Sequence, residues 1–192
     1  MEFSEPTVAD LIAAAKQKPG EINYGSAGVG SSGHLAVELF QSVTGVKVTH
    51  VPFRGGAPSV MAVIGGQVQF MIETAGSIMQ QIQSSTLRPL AVTSEARLPE
   101  LPNVPTMRES GLSDYVYSTW YGLLGPAAMD PAIVETLNKT CAKVVAKTEV
   151  KAKLANAGID ATASSSEQFT KIVHDDLEKW TKIIHAAGIE PQ

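Results

Sequence analysis

Apolar and polar positions in the first half of the chain alternate between amphipathic helical stretches and short extended runs. The helical patterns cover residues 8–16, 33–44, 57–64 and 76–84. The extended runs cover residues 22–25, 46–52, 67–73 and 88–94. Strands that alternate with helices of this length are typical of a parallel sheet with helical crossovers. The first half is therefore predicted to be an α/β unit with its functional loops at the carboxyl ends of the strands.

The second half of the chain has a different pattern. Three prolines between residues 99 and 105 exclude regular structure there, and an aromatic-rich extended segment follows at 115–124. Three helical stretches then cover residues 131–146, 149–157 and 166–187. Their apolar stripes need a sheet to cover them, and this half of the chain supplies almost no strand. We expect that sheet to lie in the first half or in polypeptide outside this sequence.

Composition places the chain among ordinary globular proteins. Of its 192 residues, 44% are hydrophobic and 18% are charged, which is typical of one or two domains. The formal net charge is -4 and no run of Lys or Arg occurs, so nucleic acid is not expected as a partner. No apolar run is long enough to span a membrane, and the first residues lack the pattern of a secretory signal peptide. We expect a soluble chain, with any export signal removed or outside it.

The single cysteine, Cys141, excludes an internal disulfide and a metal site with several cysteines. It falls on the apolar stripe of the helix predicted at 131–146, and free cysteines are often buried, so a core position is expected. The four histidines form no pair with the spacing of zinc ligands. No metal site is therefore predicted.

A glycine- and serine-rich loop lies between the first strand and the second helix. From residue 25 to residue 34 it reads Gly-Ser-Ala-Gly-Val-Gly-Ser-Ser-Gly-His. Glycines let a backbone approach a ligand closely, and the following helix offers unpaired N–H groups at the positive end of its dipole. A second loop of this kind, at 53–58, leads into a helix with a proline in its first turn. The two loops are predicted to converge on one carboxylate or phosphate.

Two enzyme classes have to be weighed against this binding site. The residues from Gly28 to Gly33 match G-x-G-x-x-G, so an NADP-binding, oxidoreductase-like domain is an alternative. That motif also requires an acidic residue after the next strand, where this chain has Arg54, although an arginine suits the 2′-phosphate of NADP. A serine hydrolase is not indicated, because no serine has glycines both two residues before and two residues after it.

Acidic and histidine residues give no pattern of general acid and base. Glu73 ends an extended run at the same predicted edge as the glycine loops, where its carboxylate would bind a ligand amine or hydroxyl or cap a neighbouring backbone. His34 is expected in the first turn of its helix, as a structural or ligand-facing group. No catalytic residue and no cofactor are predicted.

Several segments taken together resemble one known family. They are KPGEINYGSAG at 18–28, GHLA at 33–36, HVPFRGGAP at 50–58, GGQV at 65–68, RPLAVTS at 88–94, LPNVPT at 101–106 and WYGLLGP at 120–126. In this order they resemble the periplasmic solute-binding proteins of tripartite tricarboxylate transporters, the TctC or Bug family. The resemblance implies a type II periplasmic-binding-protein-like α/β fold and a receptor, not an enzyme, that delivers a small carboxylate or amino-acid-like solute to a membrane permease.

The resemblance also implies which residues hold the solute. They come from the two glycine loops and from the end of the third extended run. The implied ligand residues are Ser26, Ala27, Gly28, Ser31, Ser32, Gly33, His34, Arg54, Gly55, Gly56, Ala57, Glu73 and Thr74. The family commonly has Asp-Asn where this chain has Glu73-Thr74, so the identity of the solute stays open.

Members of that family begin with a longer N-terminal part that builds most of the first lobe. By resemblance, residues 4–113 are a complete ligand-binding lobe and residues 114–192 are the returning, helix-rich part of an incomplete one. We then expect an N-terminally truncated receptor with weak or absent solute binding, and self-association through exposed apolar surface. A sensor or interaction module derived from the receptor is a third alternative.

Overall fold

The computed structural model describes residues 6–189, apart from the side chain of residue 156. These residues form seven helices and three strands. The elements are α1 Val8–Gln17, β1 Asn23–Ser26, α2 Ser32–Thr44, β2 Thr49–Pro52, α3 Gly56–Ile64, β3 Phe70–Met71, α4 Ala75–Gln83, α5 Pro131–Val145, α6 Thr148–Asn156 and α7 Ser166–Ala186. Within the described residues, no helix is long and apolar enough to cross a membrane.

The described chain divides into two compact units. The first unit contains the residues up to Glu73, then Ile78–Thr119 and the residues after Lys182. The second unit contains Thr74–Ser77 and Trp120–Lys182. The lobe boundary that the resemblance places between residues 113 and 114 stays a prediction.

The first unit contains a parallel sheet with strand order β2-β1-β3. Tyr24 in the central strand is paired with His50 on one side and with Phe70 on the other. Helix α2 connects β1 to β2, and α3 connects β2 to β3. The predicted alternation of strands and helices is therefore confirmed, and all three strands end at the same edge of the sheet.

The fourth predicted strand, at 88–94, is wrong as a strand. Within the described residues it is reduced to a single parallel bridge between Val92 and Thr106. The Val92 N–H donates to the Pro105 carbonyl at 2.8 Å, and the Met107 N–H donates to the Val92 carbonyl at 2.9 Å. Pairing stops there because Pro105 has no N–H to donate and the chain before it is proline-rich.

Helix boundaries follow their local capping residues. The Thr7 hydroxyl accepts from the Asp10 N–H, and the Asp10 carboxylate accepts from the Thr7 N–H, which together form a capping box. A second capping box lies before α7, with the Gln168 N–H donating to Ser165 Oγ at 3.1 Å and the Ser165 N–H donating to Gln168 Oε1 at 2.9 Å. These contacts satisfy N–H groups that a helix end leaves unpaired.

Among the residues that the structure describes, the buried apolar side chains all lie in the first unit. Tyr24, Phe40 and Tyr115 are among its largest buried side chains, and the Tyr115 hydroxyl donates to the Ala36 carbonyl at 2.8 Å. Among the described residues, none after Tyr115 is buried. Cys141 is exposed, so the prediction of a core cysteine is wrong: Ile133 and Leu137 on the same stripe of α5 are exposed as well.

Large apolar side chains of the second unit lie in contact with solvent. We call these residues the exposed apolar set. Its members are Trp120, Tyr121, Leu123, Leu124, Ile133, Leu137, Val144, Ile172 and Leu177. The predicted shortage of sheet in this half of the chain accounts for the exposure of the members on α5 and α7, because amphipathic helices without a partner layer leave their apolar faces in water.

Ser59 in α3 gives a stability prediction. It is fully buried, and no partner for its hydroxyl lies within hydrogen-bond distance among the residues that the structure describes. We expect Ser59→Ala to leave the free energy of unfolding unchanged or to raise it by about 1 kcal/mol, because the hydroxyl is desolvated without compensation. Urea denaturation followed by circular dichroism measures the change.

A matched control for Ser59→Ala is Thr106→Val. Thr106 is also buried, but its hydroxyl accepts from the Glu109 N–H at 3.0 Å. The control is expected to lower the free energy of unfolding by about 1 kcal/mol, since it removes a hydrogen bond from a buried group. A loss in Ser59→Ala as large as the loss in the control would contradict the prediction.

Candidate functional site

The two glycine loops lie side by side at the carboxyl edge of the sheet. Of the first loop, residues 27–31 connect β1 to α2, and of the second loop, residues 53–55 connect β2 to α3, while the other residues of both loops belong to these strands and helices. The Phe53 N–H donates to the Ser26 carbonyl at 3.0 Å, and the Gly55 N–H donates to the Ala27 carbonyl at 3.2 Å. These two hydrogen bonds continue the pairing of β1 with β2 beyond the strands and hold both loops at one place.

The first loop is shaped by glycine and closed by a serine. Gly28 and Gly30 have φ values of 130° and 75°, which side chains with a Cβ rarely adopt. Ser31 is the N-cap of α2: its hydroxyl donates to the Gly28 carbonyl at 2.7 Å and accepts from the His34 N–H at 3.4 Å. The loop therefore turns directly into the first turn of α2, whose N–H groups attract anions.

An acidic side chain from the chain after β3 lies beside the second loop, at the start of α3. Gly55 is the N-cap of α3, and Arg54 beside it is exposed. Glu73, just beyond β3, has its Oε2 only 2.9 Å from the point where a Cβ on Gly56 would lie. A carboxylate in this place is favoured by the positive end of the α3 dipole. The predicted position of Glu73 at the edge with the glycine loops agrees with this contact.

Two predicted ligand residues, Gly33 and Thr74, have structural contacts that the sequence did not predict. A Cβ on Gly33 would lie 2.5 Å from the carbonyl oxygen of Ile72, so this glycine lets α2 pack closely on the chain after β3. Thr74 belongs to the second unit, where its carbonyl accepts from the N–H and the hydroxyl of Ser77. The part of Thr74 in the site stays a prediction.

A stack of three aromatic rings beneath the first loop was missed by the sequence analysis. The His34 and His50 rings lie 4.0 Å apart between centroids and 9° from parallel. The Tyr24 ring stacks on His50 at 4.9 Å. The parallel register that pairs Tyr24 with His50 causes this contact, and His34 reaches the stack from the first turn of α2. Strand pairing was the only sequence signal that would have brought the two histidines together.

Hydrogen bonds join this stack to the loop. The Gly30 N–H donates to Nδ1 of His34 at 3.0 Å. Nε2 of His50 lies 2.6 Å from the hydroxyl of Ser26, and that hydroxyl in turn contacts the N–H and the carbonyl of Gly28 at 3.1 and 3.0 Å. The backbone of the loop is thus hydrogen-bonded directly to the His34 ring, and to the His50 ring through the hydroxyl of Ser26.

Glu38 is the carboxylate of this cluster. Its Oε1 accepts from the Tyr24 hydroxyl at 2.9 Å and lies 3.7 Å from Nε2 of His34. Burial lowers the pKa of His34, and Glu38 opposes that shift. Burial, helped by the neighbouring His34, lowers the pKa of His50 to about 4, and burial together with Glu38 raises the pKa of Tyr24. Both imidazoles are therefore neutral at pH 7.

The contact between Ser26 and His50 does not make a catalytic pair. Ser26 is only 1% exposed, so its hydroxyl is not open to a substrate. A histidine of such low pKa is a weak general base at neutral pH. Within the described residues, no group of three or more histidine, cysteine or acidic side chains is placed to hold a metal ion. The geometry supports binding of an anion by the loops and does not support acyl transfer.

Sequence comparison matches nearly the whole chain to one family of receptors. The profile of the tripartite tricarboxylate transporter family receptor matches residues 2–189. The UPF0065 protein in the tcbD-tcbE intergenic region of Pseudomonas sp. (strain P51) is 35% identical over 178 residues, which are 92% of this chain and 53% of that protein. Protein BugT of Bordetella pertussis is 32% identical, over 93% of this chain and 55% of that protein. The chain spans about half the length of these curated relatives.

Solved structures of the same type have the same fold. R. palustris Rpa4515, in a structure with adipate, is 34% identical with a TM-score of 0.85, over 100% of this chain and 64% of that chain. The periplasmic binding protein BugD is 27% identical with a TM-score of 0.81, again over 100% of this chain and 64% of that chain. The predicted α/β fold of the periplasmic-binding-protein type and the resemblance to the TctC and Bug proteins are both confirmed.

Proposed function

Because the chain belongs to the tripartite tricarboxylate transporter receptor family, we propose that it is the solute-binding part of a periplasmic receptor that captures a small carboxylate and delivers it to a membrane permease. The observation that carries this proposal is the pair of hydrogen bonds that holds two helix N-termini, with their glycine loops, at one edge of the sheet. The receptor role replaces both the NADP-dependent enzyme and the sensor module as the function to test.

The proposed ligand residues differ in burial. Ala27, Ser32, Arg54 and Ala57 are exposed and are proposed to contact the solute directly, together with the partly buried Ser31 and the backbone of Gly28, Gly33, Gly55 and Gly56. Ser26 and His34 are buried, so their contribution passes through the loop that they support. Glu73, whose carboxylate lies beside the start of α3, is proposed to bind a hydroxyl or amine of the solute, because a carboxylate repels a second anion.

Adipate is the first solute to test, since it accompanies a relative of 34% identity in a solved structure. We titrate adipate into the ¹⁵N-labelled chain and follow its amide NMR signals. Shifts are expected in residues 27–33 and 54–57, with weak affinity, because ligand pockets bury most of the ligand surface and the two loops contact one side of it. NADPH is expected to leave these signals unchanged.

Arg54→Gln tests the charge at the second loop. Loss of the exposed guanidinium is expected to weaken adipate binding by about three- to fivefold, the scale of an exposed ion pair. The control is Arg108→Gln, which removes an exposed arginine outside the loops and is expected to leave the affinity unchanged. The proposed function is wrong if carboxylates shift no loop signal at all, or if NADPH shifts them instead. Equal losses in the two variants would remove Arg54 from the site.

A further inference from the structure

Buried His34 and half-buried His50 both take part in hydrogen bonds that reach the first loop. His34 accepts a hydrogen bond from the N–H of Gly30. His50 contacts the hydroxyl of Ser26, which is hydrogen-bonded to both the N–H and the carbonyl of Gly28. Gly28 and Gly30 are the two positive-φ residues that set the course of the first loop. The two imidazole rings are therefore linked to Gly28 and Gly30, whose backbone conformation sets the direction of the N–H groups in the loop.

We propose that His34 and His50 are positioning residues that hold the first loop in its binding form only while His34 is neutral. The proposal rests on the proposed function for its ligand, and it adds a dependence of that function on pH. Neither imidazole needs to touch the solute. Each acts through the glycine backbone that it supports.

The hydrogen bond from Gly30 defines the protonation state of His34. An imidazole nitrogen that accepts a hydrogen bond carries no proton, so the proton of neutral His34 is on Nε2, on the side of Glu38. An imidazolium has protons on both nitrogens. Protonation of His34 would set an N–H of the ring against the N–H of Gly30, and this hydrogen bond would be lost.

His50 does not respond in the same way. Its Nε2 contacts a hydroxyl, which both donates and accepts, so this contact survives protonation of the ring. The charge itself is the obstacle, because two imidazolium rings stacked at 4.0 Å would repel each other. A charged His34 lowers the pKa of His50, so His50 stays neutral while His34 titrates, and His34 is the group whose protonation releases the loop.

The groups that face His34 set the direction of the pH effect. They are the His50 ring from β2, the Tyr24 ring from β1 and the carboxylate of Glu38 from α2 itself. Burial lowers the pKa of His34 below its usual 6.5, while Glu38 favours the charged ring. The folded chain thus binds fewer protons than the unfolded chain just below pH 6.5, so both stability and loop order are expected to fall as the pH decreases.

The first test needs no ligand. Amide NMR signals of Gly28 and Gly30 in the ¹⁵N-labelled chain are followed from pH 7.5 to pH 5, beside the ring signals of His34. The amide signals are expected to shift with the same midpoint as the His34 ring. If the Gly30 signal does not follow that ring, the proposal is wrong, whatever the chain binds.

Two variants separate positioning from packing. In His34→Asn the side-chain oxygen lies near the place of Nδ1 and still accepts from Gly30, but it does not titrate. In His34→Gln the amide group lies further out, near the place of Nε2, and the contact with Gly30 is lost. The Asn variant is expected to remove the pH dependence of the Gly30 signal, and the Gln variant to shift that signal at every pH. Equal signals in the two variants would contradict the proposal.

The second test measures adipate affinity over the same pH range. Relative to His34→Asn, whose pH dependence reports the protonation of adipate itself, the wild-type chain is expected to lose affinity by about tenfold per pH unit below the His34 midpoint. A gain of affinity on acidification would show that charged His34 binds the carboxylate directly and would overturn the proposal. If the Gly30 signal titrates as expected and adipate never binds, the proposed function fails and the positioning role stands.

Discussion

Gly33→Ala is expected to lower the free energy of unfolding by about 2–3 kcal/mol, the upper part of the range for overpacked sites. The added Cβ would lie 2.5 Å from the carbonyl oxygen of Ile72, which is a backbone atom and cannot turn away. Alanine gains up to about 1 kcal/mol in helix propensity over glycine, so the measured loss is what remains of a larger steric cost. Urea denaturation followed by circular dichroism gives the difference between the two chains.

Gly45→Ala is the control for Gly33→Ala. Gly45 ends α2 with φ of 68°, and nothing lies within 4 Å of a Cβ at that position. Its replacement is therefore expected to lower the free energy of unfolding by about 1 kcal/mol, the cost of holding alanine in the left-handed conformation. A loss in Gly33→Ala no greater than this control would mean that α2 and the chain after β3 are not in close contact. A shift of the Ile72 and Glu73 amide signals in Gly33→Ala would locate the strain.

Replacement of an exposed apolar residue in α7 is expected to have almost no effect on the free energy of unfolding. Leu177 is 65% exposed, and Leu177→Lys should change the free energy of unfolding by less than about 0.5 kcal/mol. Phe40→Ala in α2, where the ring is 2% exposed, should lower it by about 3–5 kcal/mol. Two large apolar side chains on amphipathic helices are thus expected to differ by several kcal/mol because one has a sheet to pack on.

The exposed apolar set should also make the chain bind hydrophobic dyes and self-associate, because large apolar patches favour contact with other molecules. Leu177→Lys combined with Ile172→Lys is expected to reduce dye fluorescence and to move the chain towards a monomer in size-exclusion chromatography. Thr181→Lys adds charge to an exposed position of the same helix without removing apolar surface, and should change neither measurement. A wild-type monomer that binds no dye, or a destabilised Leu177→Lys chain, would mean that this surface is covered.

Local signals in the sequence were sufficient for the helices. Thr7, Ser165 and Gly45 each define a helix end through contacts within a few residues, so the predicted boundaries agree closely with the structure. The extent of a strand depends instead on a distant partner. Pro105 shortens the pairing of Val92 to one bridge, and the sequence around Val92 does not contain that information.

The local features of the candidate site were predictable from the sequence, and its long-range contacts were not. Its two loops follow from glycines beside a strand and a helix, and the structure brings them together as expected. The stack of His34 on His50 depends on the register between β1 and β2, which is not a local property. Gly33 has the residue type expected near a ligand, but the distance to Ile72 that explains it appears only in three dimensions.

Backbone hydrogen bonds hold the two glycine loops together without the help of a solute. Fixing the backbone of one residue costs about 1–2 kcal/mol in conformational entropy, and the loops lose this freedom during folding, before any solute arrives. The side chains of Ala27, Val29 and Ser32 remain exposed on this fixed backbone. Exchange of these few side chains would alter the surface that a solute meets while leaving the fold intact, so one rigid frame can be adapted to many solutes over evolution.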